Sequence, residues 1–67
     1  MYKVQIDTID KEYTLQAAAA ARLKAAIVQE DGPAGWPVVE LEGNAADLEA
    51  YLLAGQYELD AHPLIKA

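Results

Sequence analysis

A chain of 67 residues without a single cysteine has to hold its fold by packing alone. A domain of this size buries only about 60% of the surface its unfolded chain exposes, so its core is thin. Disulfides are ruled out, and a thiolate metal site goes with them. His62 is the sole imidazole, which leaves too few ligands for a structural zinc site. Dense packing and self-association remain as supplements, so a homodimer or higher homo-oligomer is expected, with no cofactor and no metal.

The apolar residues are distributed to suit such a core. Tyr2, Val4 and Ile6 alternate with Lys3, Gln5 and Asp7, which predicts a strand over 2–7 with one buried face, followed by a turn. Residues 11–15 fit two readings. They form a second strand, with Tyr13 and Leu15 inward in a hairpin, or they open a helix capped by Asp10. The five alanines at 17–21 favour a helix start between Asp10 and Thr14. The stripe of Leu15, Ala19, Leu23, Ala26 and Ile27 carries that helix across 16–29, and Gly32 with Pro33 stops it.

After a turn-rich loop over 32–37, residues 38–42 read as a strand, β-branched at its start and alternating at its end. Asn44 is a good N-cap, and Asp47 three residues on adds a second contact at the helix start. Leu48, Tyr51 and Leu52 make an apolar stripe and Gly55 a stop, so a helix is expected over 45–54. Alternation over 56–60 predicts a short third strand, and residues 62–67 a tail.

The expected fold class is therefore α+β. It is a single β-α-β-α-β domain over 1–61, with an extra strand if the early hairpin forms and both helices on one face of a three- or four-stranded sheet. A strand–helix–strand connection would make the first two strands parallel within one sheet. An uncovered sheet edge would be open to another copy or to a partner.

Charge narrows the function. The net charge is −6, and no basic residue occurs between Lys24 and Lys66, where eight acidic side chains fall. Direct nucleic-acid binding is disfavoured, because phosphate contacts need Lys and Arg, whereas a basic protein partner is favoured. The first residues lack the apolar stretch of a signal peptide, and no apolar run approaches a membrane span. No membrane association and a cytoplasmic location are expected.

Catalytic groups are scarce. There is neither Cys nor Ser, and the hydroxyls are Thr8, Thr14 and four tyrosines, so Ser-His-Asp and Cys-His arrangements cannot be assembled. His62, two residues after Asp60, has the makings of an oriented base but no nucleophile beside it, and reads as a solvated tail residue. Asp7, Asp10 and Glu12 resemble an oxygen-ligand loop only loosely and read as turn and cap residues. Gly32 to Gly35 follow a helix signal and lack the Lys-Ser/Thr of a phosphate loop.

Glu40 and Glu42 share one strand face, and Glu58 with Asp60 on a neighbouring strand would add two carboxylates. These four, with Trp36 as a core plug or an interface anchor, are the candidate partner-binding residues. The expectation is a non-enzymatic acidic protein-binding module, an inhibitor or decoy that occupies a nucleic-acid-binding groove, as phage and mobile-element accessory proteins do. The alternative is a regulatory domain holding a small molecule at a dimer interface, near residues 8–10 or 32–36, an expectation by analogy of fold alone.

Overall fold

A computed structural model describes the whole chain, residues 1–67. Its elements run β1 (Tyr2–Asp7), α1 (Lys11–Ala20), β2 (Lys24–Gln29), β3 (Val38–Gly43), α2 (Ala45–Ala54) and β4 (Ile65–Lys66). The four strands form one sheet in the order β2-β3-β1-β4, and every neighbouring pair is antiparallel. This is the split β-α-β connectivity of the ferredoxin-like motif: each helix joins two strands that run parallel but are separated by a third. The α+β class, with two helices packed on a four-stranded sheet, matches the sequence reading. The expected parallel orientation of the first strand and residues 38–42 is replaced by an antiparallel pairing, because β2 is inserted between them in the chain.

The core lies between the sheet and the helices. Val4 and Ile6 of β1, Val39 and Leu41 of β3, Ala18 of α1, Leu48 and Leu52 of α2, and Leu23 make one buried cluster. Burial of each large aliphatic side chain contributes about 1.5–3 kcal/mol. The opposite face of the sheet carries no helix and is lined by Lys3, Gln5, Glu40, Glu42, Lys24 and Ala26. No helix is long and apolar enough to cross a membrane.

Asp10 decides the ambiguity over 11–15. Its carboxylate accepts the Tyr13 amide at 3.0 Å, and the helix begins at Lys11, so no early hairpin strand forms. The expected helix over 16–29 is cut short at Ala20. Arg22 takes a left-handed conformation (φ 66°), its amide donates to Ala19 O, and the Leu23 amide donates to Ala18 O. That is a Schellman end, sealed by Leu23 folding back on Ala18 in the core. Beyond it Lys24–Gln29 pair with β3, with a bulge between Ile27 and Gln29.

The second helix closes in the same way. Gln56 (φ 63°) is left-handed, and the Gln56 and Tyr57 amides donate to Leu53 O and Leu52 O. Tyr57 is thereby drawn against the core, and the expected strand over 56–60 cannot form. Residues 58–62 turn instead, with the Ala61 amide on Glu58 O and the His62 amide on Leu59 O. The last residues are not a free tail. Lys3 pairs with Ile65 and Tyr2 with Lys66, so the segment 62–67 supplies the edge strand β4.

Candidate functional site

Strand direction sorts the charges. β1 and β2 both run antiparallel to β3, so the acidic residues that follow each of them arrive at the same end of the molecule. Three segments meet there: the β1–α1 turn, the β2–β3 loop, and the chain that leaves α2. The Thr8 amide donates to Pro37 O at 3.0 Å, the Lys11 ammonium pairs with the Glu30 carboxylate, and the Tyr57 hydroxyl donates to Asp7 O at 3.1 Å. Asp7, Asp10, Glu12, Glu30, Asp31 and Glu58 are all exposed around this end, where Lys11 is the cation present. The strand starts at the opposite end carry Lys3, Lys24 and the adjacent Arg22.

At the centre of the acidic end stand two apolar side chains in water. Trp36 is 45% exposed and Ile9 80% exposed, and with Asp7 and Thr8 they line a depression of about 240 Å³. Trp36 is therefore not the core plug. The loop that presents it is tightly held: the Gly32 amide donates to Trp36 O at 2.7 Å and the Gly35 amide to Gly32 O at 2.9 Å. A Cβ on Gly32 would sit 2.6 Å from Val38 Cγ2 and 2.8 Å from Trp36 O, so no larger residue fits there without moving the loop.

The support below is polar and buried. Thr8 and Thr14 are 8% and 4% exposed, and their hydroxyl oxygens lie 2.7 Å apart. Thr14 Oγ1 donates to Asp10 O at 2.9 Å, and the Asp10 amide donates to Thr8 Oγ1 at 3.3 Å. With Thr8 donating to Thr14, the set closes into a ring that fixes the turn carrying Ile9. Burial pushes the Tyr57 phenol above its ordinary pKa, with the nearby Asp7 charge adding to the shift.

The candidate carboxylates are not gathered as expected. Glu40 and Glu42 do share the open sheet face, but across from Glu42 stand Lys3 and Lys24, and across from Glu40 stand Gln5 and Ala26. Glu58 and Asp60 lie in the turn after α2, not on a strand opposite them. In place of four gathered carboxylates, that face sets Glu42 between Lys3 and Lys24. His62 is held by its own turn. Its Nδ1 lies 2.8 Å from Glu58 O, which makes that nitrogen the donor, and its ring stands edge-on to Tyr57 at 5.2 Å. Asp60 does not orient it. A groove of about 450 Å³ beside His62 is lined by Lys3, Gln5, Glu40, Pro63 and Ile65.

Ile9, Asp7, Asp10, Glu30 and Asp31 are the members of the acidic end that the sequence reading did not assemble. The signal was present, because each acidic stretch directly follows a strand. It becomes readable only once 24–29 is known to be a strand parallel to the first. Comparison with protein-family models, with curated proteins and with solved structures finds no match to this chain.

Proposed function

We propose that this chain is a non-enzymatic protein-binding module whose acidic end docks on a basic surface of a partner. The observation that carries this is the exposed Trp36–Ile9 pair inside a rim of carboxylates. Binding hot spots have that anatomy: an aromatic anchor at the centre, surrounded by polar groups that exclude water once the partner is seated. The rim supplies orientation and a fast approach to cationic surfaces, and the anchor supplies most of the affinity. A partner surface of that kind is what a nucleic-acid-binding protein offers, so occupation of its groove, as an inhibitor or decoy, is the proposed role. The proposed location is the cytoplasm.

The candidate set shifts accordingly. Trp36 and Glu58 stay within it, joined by Ile9, Asp7, Asp10, Glu30 and Asp31, while Glu42 faces Lys3 and Lys24 across the sheet and Glu40 accepts a hydrogen bond from Gln5. The test is amide chemical-shift mapping with a lysine- and arginine-rich peptide at low ionic strength. Shifts confined to residues 7–12, 30–37 and 57–60, fading as salt is raised, are expected. Shifts centred on Glu40 and Glu42 would move the site to the open sheet face.

A second reading has one observation in its favour. The groove beside His62 presents Lys3, Gln5, Glu40 and an imidazole together, a mixed donor and acceptor set of the sort that holds a small zwitterion. Crystals soaked with amino acids, showing density in that groove, would favour this regulatory-domain alternative.

A further inference from the structure

β2 is the one long strand with a side unpaired along its whole length. It pairs with β3 alone, and its other edge faces solvent along Lys24–Gln29. The opposite edge of the sheet is shielded, since β4 covers the first part of β1 and Pro63 stands just before it. Nothing blunts the middle of β2: Ala25, Ala26, Ile27 and Val28 are uncharged and free of proline, and Val28 is exposed. The bulge at Val28 limits the regular run but leaves its first four residues straight.

The charges flanking this edge are ordered. Arg22 and Lys24 stand at its start, Glu30 and Asp31 at its end. The one ion pair within the chain joins Lys11 to Glu30, so Arg22, Lys24 and Asp31 have no ionic partner in the fold. A strand that is basic at one end and acidic at the other is complementary to itself when turned antiparallel, and self-repelling when parallel.

We propose that two copies of this chain pair through their β2 edges, antiparallel about a two-fold axis near Ile27, to make one continuous sheet. Lys24 of each copy then faces Glu30 of the other, joining Lys11 at that carboxylate, with Arg22 beside the unpaired Asp31, and Val28 leaves water. The two-fold uses the same edge of both chains, so assembly closes at a dimer. The acidic ends of the two copies point in opposite directions along the sheet, which keeps the like charges of a chain with net charge −6 apart. The pairing shares Glu30 and Asp31 with the acidic end but not Trp36, Ile9, Asp7 or Asp10, so self-association is read separately from partner capture by a Trp36→Ala variant, which should still dimerise.

The experiment is a charge swap read by sedimentation equilibrium, with far-UV circular dichroism confirming that each variant is folded. The wild type is expected as a concentration-dependent dimer. Arg22→Glu with Lys24→Glu, and separately Glu30→Lys with Asp31→Lys, should each weaken self-association by about tenfold or more, and an equimolar mixture of the two should recover a dimer. The Glu30 and Asp31 variant is also the less acidic protein. If it self-associates as tightly as the wild type, general repulsion governs assembly and the edge pairing is wrong. A wild type that stays monomeric at high micromolar concentration, or a mixture that fails to dimerise, overturns the proposal as well.

Discussion

Thr8 and Thr14 sit below the surface with their hydroxyls bonded to each other and to the Asp10 backbone. A buried polar ring is stabilising only while it stays complete, because an orphaned hydroxyl keeps its desolvation cost. Thr14→Val keeps the shape but removes the 2.7 Å bond and leaves the Thr8 hydroxyl only its longer 3.3 Å contact with Asp10 O. We expect a loss of about 0.5–1.5 kcal/mol in urea unfolding. The two left-handed residues act in the opposite sense. Arg22 and Gln56 each carry a side chain in a conformation that costs an L-residue about 1–2 kcal/mol, part of which glycine recovers. Gln56→Gly is therefore expected to raise the melting temperature by a few degrees, roughly 4 °C or more, and an unchanged or lower value would contradict the Schellman geometry. The tyrosines give a pH dependence. Burial raises the Tyr51 and Tyr57 phenols above their unfolded value of 10.0. The neutral form is favoured in the fold, so its contribution is complete below pH 10 and is lost as pH climbs through the folded values. Unfolding free energy should fall above pH 10, and tyrosinate absorbance of the native protein should show a late-titrating fraction that Tyr57→Phe diminishes.

Among the elements, the legible ones are those whose local signals agree. Tyr2–Asp7 shows strict alternation, and Ala45–Ala54 has a cap, a stripe and a stop that coincide with its observed bounds. Lys24–Gln29 is the case where local signals mislead. Ala25 and Ala26 are strong helix formers, and Leu23, Ala26 and Ile27 extend the apolar stripe of the alanine run, yet Arg22 turns left-handed without the glycine that would have announced it. What decides the outcome is tertiary: Leu23 is buried by folding back, and β3 needs a neighbour on its outer side. The same logic hides β4, since a two-residue strand has no period to read. The β2–β3 loop allows a direct check of how Trp36 is held. Gly32→Ala forces a methyl against Val38 and the Trp36 carbonyl, so the emission of this single tryptophan should shift and partner binding should drop about tenfold or more, with the helices intact by circular dichroism.

For the molecule as a whole, the sequence told how acidic the surface is but not where the acid gathers. The stretch without a basic residue between Lys24 and Lys66 pointed to a basic partner, with Glu40, Glu42, Glu58 and Asp60 as the candidate carboxylates. The antiparallel sheet instead sets Lys3 and Lys24 across from Glu42 and leaves Asp7, Asp10, Asp31 and Glu58 without an ion pair at the loop end, around Trp36 and Ile9. Charge was legible because composition fixes it. Its placement was not, because it follows from strand order, which hinges on the one element that local propensity disguised. The most direct test is native mass spectrometry of the protein recovered from its own cells at low salt, with Trp36→Ala/Asp31→Asn and Asp47→Asn/Glu49→Gln prepared alongside. The acidic-end account predicts that a basic protein accompanies the wild type and the Asp47/Glu49 variant and is missing from the Trp36/Asp31 variant. Equal recovery with all three, or a bound species that is acidic or a small molecule, would contradict it.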